Sequence, residues 1–472
     1  MVKLENVQPV LEAIRNAGGI SRIVGGFVRD SVLGIDSKDI DIEVYKMTSD
    51  QLAAVLSRFG KSETVGASYG VMKLWMGGQD YDFTLPRRDN KCGRNHKDFT
   101  VEIDPNMSFQ EAASRRDFTF NSIAMNPFTS QIEDPFSGLD DLKNGFIRNT
   151  SMAFVEDPLR VLRGMQFAAR FDFKVTSETA ELCQSMFDTY DALAKERVWV
   201  EWEKWATKSI KPSAGIRFLD QTGWLKHFPQ IEALKGVPQD PIWHPEGDVF
   251  EHTMHVVDAA AQIAKDFVPE ERLLTVMAAL CHDFGKVTNT SYFGEWSTRS
   301  DGTPYEIEGT ARYRSHGHEA AGEKPTRLFL ENIGAPQHLI AKIVPLVTNH
   351  LAHCTFQGEA PTPRSVRRLA VRLHPATIDQ LIHVIHADAA GRPPLSQELP
   401  TTAVQLQEMA KQVRVADGRP KPIVMGRDLL KAGIRPGPEM GRILSKLYEL
   451  QLDGAFDNVE DGLTTLNNLK VT

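Results

Sequence analysis

The chain is short of the features that mark secreted and membrane proteins. Only four of its 472 residues are cysteines. Cys92, Cys183, Cys281 and Cys354 are scattered without CxxC spacing, which argues against a disulfide framework or a thiolate zinc site and leaves reduced structural thiols. No run of about 18 apolar residues is present to span a bilayer. The first residues, MVKLENVQPVLEAIRNAGG, lack the apolar stretch of a secretory signal. The expected location is cytoplasmic, with no membrane partner. Low-complexity tracts and internal repeats are also missing. Positive charge is scarce overall: 54 Lys and Arg stand against 62 Asp and Glu, a net charge of −8. Spread evenly, that balance would disfavour a polyanion. It is not even, because Lys411 to Arg435 holds seven basic residues and two Asp, enough for a local RNA-binding patch.

What the chain does contain is enough apolar residue, 41%, to fill several cores, and a length that suits roughly two to four domains. Residues 1–150 mix short β-like runs (SRIVGG, YGVMKLWM, QDYDFTL, SIAMNPF) with helical stretches, the pattern of an α/β or α+β domain. Residues 151–238 turn helical and rich in Arg and Trp. Of the 14 histidines, 12 lie between His244 and His386, which sets off residues 239–395 as a third region. GRPPLSQELP reads as a linker to a helical tail, 396–472.

Two constellations carry chemistry. In the first, Ile23-Val24-Gly25-Gly26-Phe27-Val28-Arg29-Asp30 reads as a strand, a glycine pair and a helix start. Gly25 and Gly26 let the backbone approach a phosphate, and Arg29 adds charge in the first turn. By itself such a pair is only a turn. Lys38-Asp39-Ile40-Asp41-Ile42 follows, with Asp39 and Asp41 at i and i+2 of a β-like run and therefore on one face. Paired carboxylates behind a phosphate loop suit Mg2+ ions that activate an attacking 3′ hydroxyl and clamp a triphosphate. An exposed strand of alternating acids and apolar residues is the plainer reading. Asp82, in Tyr81-Asp82-Phe83-Thr84-Leu85, is a third catalytic carboxylate from a neighbouring strand, or a solvated strand residue.

GGFVRDSVLG followed by KDIDIE resembles the head of class II tRNA nucleotidyltransferases and bacterial poly(A) polymerases, in which the DxD aspartates carry the metals. Arg115-Arg116-Asp117-Phe118-Thr119-Phe120-Asn121 is similar to that family's RRDxTxN motif, which implies that Arg116, Asp117 and Asn121 act on the triphosphate and ribose. Asp134-Pro135-Phe136 with Gly138 and Asp141-Leu142 resembles the following DPxxGxxDL element, which couples head and neck. Glu156-Asp157-Pro158-Leu159-Arg160-Val161-Leu162-Arg163 resembles the motif that serves as a protein template for the incoming base, through Asp157, Arg160 and Arg163. Placed on a helix, Asp157 and Arg160 are neighbours three apart, so an acceptor and a planar donor fork can read a base edge together, or form a salt bridge. The charged loop Arg87 to Arg94 stands where the family has a flexible loop needed to switch from C to A addition.

The second constellation is Cys281-His282-Asp283-Phe284-Gly285-Lys286, at the end of the apolar helical run LLTVMAAL. His282 and Asp283 can reach one cation or bridge two when other helices supply His252 and Asp388. That order resembles the HD phosphohydrolase superfamily. His316, His318, His350 and His353 are further candidates for a second metal. The link of residues 288–314 is longer than the family pattern and leaves that second geometry open. WHPEGDVFEHT and CHDFGK together resemble bacterial CCA-adding enzymes with a C-terminal HD domain that has phosphatase and cyclic phosphodiesterase activity.

The expectation is therefore an α+β chain: a nucleotidyltransferase head with a mixed sheet (1–150), an all-α neck (151–238), a helical HD domain (239–395) and a helical RNA-binding tail (396–472). The resemblance implies CCA addition to tRNA from CTP and ATP. It also implies Mg2+ in the head, a divalent transition metal (Ni, Mn, Co or Fe) in the HD site, and a monomer or homodimer. The alternatives are a poly(A) polymerase, and an HD phosphohydrolase with a non-catalytic RNA-binding head.

Overall fold

The computed structural model describes residues 4–37, 40–65, 70–91, 99–294, 296–300, 302–306, 312–356 and 360–470. The chain divides into two compact units, residues 1–201 with 214–227, and residues 202–213 with 228–472.

The first unit is built on strands β1 (Ile20–Val24), β2 (Asp41–Tyr45), β3 (Lys61–Val65), β4 (Val71–Met76), β5 (Gln79–Thr84), β6 (Arg87–Lys91), β7 (Phe99–Ile103), β8 (Ala124–Met125) and β9 (Ile132–Glu133). Seven form one sheet in the order β3-β4-β5-β2-β1-β8-β9, while β6 and β7 pair separately. The sheet is mixed, because β2 runs parallel to β5 and antiparallel to β1. The helix Leu4–Asn16 buries Val7, Val10, Leu11 and Ile14 at helical spacing and packs on β1. Past the sheet, Asp134 accepts the amides of Gly138 and Leu139 at 2.8 and 2.9 Å and so starts the helix Gly138–Asn144. Gly138 has no substitute there, since a Cβ would lie 2.3 Å from the Thr119 carbonyl oxygen. Phe118, Phe120, Phe154 and Phe167 cluster, one pair stacked and the others tilted or edge-on, with ring centroids 5.4 to 5.8 Å apart.

The second unit is helical around the helix Pro269–Cys281, in which every residue from Leu273 to Cys281 is buried. Such a helix must be surrounded, and Val249–Ile263, Gln337–Thr348 and Ile378–Ala390 pack against it. Its start follows standard rules: Pro269 occupies the first turn with Glu270 and Glu271. The four helices of the tail, from Thr401–Gln412 to Val459–Lys470, include a small apolar core of Val424, Leu429, Leu447 and Phe456. The all-helical expectation fails in two places: in the neck Lys174–Val175 pairs parallel with Phe146–Ile147, and in the long link further strands form. Ser291–Phe293 pairs antiparallel with Arg312–Arg314, and Trp296–Thr298 with Pro304–Glu306. The extra length leaves the bundle as a β arm and returns to it. Among the described residues no helix is long and apolar enough to cross a membrane.

Candidate active sites

In the first unit a cavity of about 430 Å³ is lined by Gly25, Gly26, Arg29, Asp41, Arg116, Asp117, Asn121, Asp157, Leu159, Arg160, Arg163 and Arg197. Five arginines face three aspartates, a positive balance that suits a triphosphate. Asp41 stands at the head of β2, across from Val24 of β1 and in register with Asp82 of β5, so a single row of the sheet carries both carboxylates. Gly25 has φ +69°, and a Cβ there would meet Arg116 Nη1 at 3.3 Å and Asp41 Oδ2 at 3.4 Å. The glycine thus keeps open the space between an acid and a cation. Asp39 lies outside the described residues, as do Cys92, Gly93 and Arg94 of the charged loop. Asp82 does not line the cavity; its Oδ1 is 3.4 Å from Lys73 Nζ.

The arginines are held in different ways. Arg29 is only 4% exposed, reaches Asp30 and Asn121, and lies over the Phe167 and Phe171 rings, so it braces the wall more than it offers a free cation. Burial pulls its pKa down. Arg116 lies 3.5 Å from Glu43 and 3.3 Å from the Asn121 carbonyl. Glu43 continues the acidic face of β2 two residues beyond Asp41 and also accepts the Tyr45 hydroxyl. Asp117 accepts from the Phe118 amide, Asn121 and Arg163 at 2.8, 2.9 and 2.6 Å. Burial pushes its carboxyl up, but Arg163 and these hydrogen bonds outweigh that and hold it below the ordinary value.

The expected side-by-side pair of Asp157 and Arg160 is not formed. The helix begins at Leu159, and Asp157 lies before it in extended backbone. There it accepts the Leu159 amide at 3.1 Å and Arg197 at 2.8 Å. The Arg160 guanidinium instead donates to the carbonyls of Ala153 and Arg115, both at 2.6 Å. Arg197 and Glu43 are the residues a reading of the motifs passes over. Glu43 was visible as the next residue of the i, i+2 series; nothing local marks Arg197.

In the second unit a cavity of about 620 Å³ has Asp283, His318, His350 and Asp388 in its wall. His252 comes from the helix Val249–Ile263, capped by Asp248. His282 and Asp283 come from the end of Pro269–Cys281, and Asp388 from Ile378–Ala390. His252 Nε2 is 3.2 Å from both His282 Nε2 and Asp388 Oδ1. Asp283 directs Oδ2 to His282 and Oδ1 to His318, each at 3.2 Å, and His318 Nε2 is 3.2 Å from His350 Nε2. Two fully buried ligand sets result, His252 with His282 and Asp388, and His318 with His350 and Asp283; a third group, His244 with Glu246, shares His252 with the first.

The donor set fits divalent ions. His282, His318 and His350 each turn Nδ1 to a backbone carbonyl, of Ala279, Ser315 and Val347, at 2.6 to 2.7 Å. His252 turns Nδ1 to Glu246 at 2.7 Å. Every Nε2 then points inward. Donors about 2.1 Å from a common ion stand roughly 3.0 to 3.4 Å apart for right-angle to tetrahedral arrangements. The separations of 3.2 Å fall in that range. Neither oxygen of Asp283 has a hydrogen bond of normal geometry. Burial would push the Asp283 and Asp388 carboxyls up, yet the adjacent histidines, with Lys286 and Arg392, hold both well below the ordinary range. Burial, then His282 and His318, bring His350 down to about 3, so its lone pair is free of a proton.

His316 and His353 do not join these sets. His316 faces Phe293 of the arm, and His353 lies 3.4 Å from the Cys354 sulfur. Gly285 is what lets His318 close in, since a Cβ there would be 2.0 Å from the His318 carbonyl oxygen. The sequence reading also passes over Glu246, whose Oε1 takes both His244 and His252. Burial raises its carboxyl, but these two imidazoles carry it down to about 2. Lys286 Nζ, 2.7 Å from Asp283 Oδ2, was legible as the i+3 neighbour in CHDFGK.

Residues 21–148 match the family model of the poly A polymerase head domain, and residues 249–372 that of the HD domain. The multifunctional CCA protein of Xanthomonas campestris pv. campestris (strain B100) is 32% identical, covering 90% of this chain and 95% of its own. That of Pasteurella multocida (strain Pm70) is 34% identical over 84% of this chain and 90% of its own. Among solved structures, the Bacillus stearothermophilus CCA-adding enzyme in complex with CTP shares the fold with a TM-score of 0.68 at 19% identity, over 100% of this chain and 99% of that one. The Thermotoga maritima CCA-adding enzyme complexed with tRNA gives 0.57 at 20% identity, over 98% and 94%.

Proposed function

This chain belongs to the multifunctional CCA protein family, and from that membership we propose that it adds C, C and A to the 3′ end of tRNA from CTP and ATP, and carries a phosphohydrolase in its HD domain. The observation that carries the reading is the convergence of Gly25, Asp41, Arg116, Asp117, Asp157 and Arg163 on one cationic cavity. We assign the head to residues 1–150, the neck to 151–238, the HD domain to 239–395 and the RNA-binding tail to 396–472.

In the head, the tRNA 3′ oxygen bonds to the α-phosphorus of the nucleotide, the bond from that phosphorus to the β-phosphate bridge breaks, and pyrophosphate leaves. Arg116 lines the path of the triphosphate, and Gly25 leaves it room. Asp41, with Asp39, would hold Mg2+, which supplies charge stabilisation and activation of the attacking hydroxyl. The base is read by Asp157, Arg160 and Arg163. For Asp157 and Arg160 that means exchanging the contacts to Arg197, Ala153 and Arg115 for a base edge when a nucleotide enters. The backbone and elbow shape of tRNA, not its sequence, are held by basic residues of neck and tail.

In the HD cavity a water oxygen bonds to phosphorus, the ester P–O bond breaks, and the alcohol leaves with a proton. His252, His282 and Asp388 would hold one divalent ion and His318 and His350 a second, with Asp283 between them; imidazole and carboxylate donors suit Ni, Mn, Co or Fe. Bound there, such ions lower the pKa of a water and polarise the phosphoryl group. Lys286 and Glu246 keep Asp283 and His252 aimed.

Extension of a tRNA ending at the discriminator base, with CTP, ATP or both, resolved at single-nucleotide steps, tests the reading. Addition of C, C and A followed by a stop is the expected result. An open-ended A ladder makes the chain a poly(A) polymerase. No extension, with phosphoester hydrolysis retained, makes the head an RNA-binding module.

A further inference from the structure

The β arm returns to the bundle beside the HD cavity, and its last strand contributes Arg312, Tyr313 and Arg314 to the cavity wall. Arg312 and Arg314 are exposed, and neither forms an ion pair with an acid among the described residues; Arg314 only lies over the Phe293 ring at 5.7 Å. An arginine pair with no acidic partner among the described residues breaks no salt bridge there when an anion arrives. At i and i+2 of one strand the two stand about 6.6 Å apart along the chain direction, on one side of it. That is on the order of one nucleotide step of an extended strand. The same cavity has Trp243 in its wall, and this indole is 60% exposed. An exposed indole and a row of exposed cations are the two elements of single-strand recognition: a platform for a base and a track for the backbone. A small phosphomonoester needs neither.

Resting on the HD reading above, we propose that Arg312, Arg314 and Trp243 are specificity-determining residues that make the HD cavity a polynucleotide site. The two arginines hold the phosphates that precede the scissile phosphoester at an RNA 3′ end, and Trp243 stacks the terminal base. The reacting phosphorus then sits at Asp283 and His318, while the arm holds the chain behind it. Tyr313 stays packed on Tyr292, with centroids 5.2 Å apart, and keeps the two arginines on a firm strand.

The test compares two substrates on the full chain supplied with Mn2+ or Ni2+: a short oligoribonucleotide bearing a 3′-phosphate, and p-nitrophenyl phosphate. In an Arg312→Ala/Arg314→Ala variant, KM for the oligonucleotide should rise about tenfold or more with kcat little changed, and p-nitrophenyl phosphate hydrolysis should be unaffected. Loss of two single-strand phosphate contacts should also flatten the slope of log(kcat/KM) against log[salt] by about 1.4. Lysines at both positions should restore most of the slope, and Trp243→Ala should raise KM without changing it. Nucleotide addition by the head serves as the control for folding. If the double alanine variant keeps the wild-type KM and salt slope for the oligonucleotide, the arm is not a substrate track, and the HD reading survives. If the wild-type chain hydrolyses neither substrate, both fall.

Discussion

Asp283 Oδ1 and His318 Nε2 stand 3.2 Å apart, although the whole β arm lies between them in sequence. This contact holds the second ligand set together, while Asp283 Oδ2, 3.2 Å from His282 Nε2, ties it to the first, and it depends on Gly285 leaving room for the His318 backbone. His318→Ala and Gly285→Ala should each lower the metal content of the purified chain from two divalent ions to one, read by elemental analysis. Phosphoester hydrolysis should fall by about 10- to 100-fold or more. His316→Ala, two residues before His318 and outside the ligand set, should keep both ions. A single ion in the wild type would remove the bridging role from Asp283.

Glu246 tests how much the outer contacts matter. Its buried carboxylate takes the Nδ1 protons of His244 and His252 and so aims His252 Nε2 at the other ligands. Glu246→Gln keeps the shape but not the charge, and should weaken metal binding about 10- to 100-fold in a chelator competition, with nucleotide addition by the head untouched.

The head should respond to the smallest possible addition of volume. Gly25→Ala forces a Cβ into left-handed backbone, which costs roughly 1–2 kcal/mol, and places a methyl between Arg116 and Asp41. The expected outcome is a chain that still folds, by circular dichroism, but whose KM for CTP and ATP rises about tenfold. Asp41→Asn should go further and reduce nucleotide incorporation by at least about 100-fold while HD hydrolysis continues. Full incorporation by that variant would move the catalytic acid elsewhere on the sheet.

Acid should loosen the head partly through Asp117. Its folded pKa lies below the usual carboxylate value, so its contribution to stability is complete above the unfolded value, about 3.8, and is lost as pH falls through the folded one. Hydrogen exchange of the helix Leu159–Phe171, which Asp117 ties down through Arg163, should therefore accelerate below about pH 4. In Asp117→Asn the same helix should be less protected at neutral pH and show a shallower acid dependence.

Much of this protein is written locally. The strand-and-helix pattern of the head and the helical remainder follow from periodicity, and GGFVRD, DIDIE and CHDFGK show a phosphate-loop and metal-ligand pattern because a strand or helix start fixes which neighbours share a face within a few residues, whereas the role of RRDFTFN is what the resemblance to the family implies. The same local logic failed at Asp157 and Arg160. Proline 158 moves the helix start to Leu159, and the carbonyls of Ala153 and Arg115 claim the guanidinium.

Partner choice over long sequence separations was not readable in this way. His316, His318, His350 and His353 are equivalent as letters, and only the packing of separate helices, with Gly285 as the point of close approach, selects His318 and His350. Glu246 and Arg197 carry no local signal, since their roles exist only once His252 and Asp157 are in place. The long link forms antiparallel strands beside the second ligand set, a placement its length alone does not encode. The sequence by itself determined which reactive groups are present and on which elements they ride. The tertiary structure decided which of them meet, because ligand and hydrogen-bond distances are set by long-range packing that no local pattern encodes.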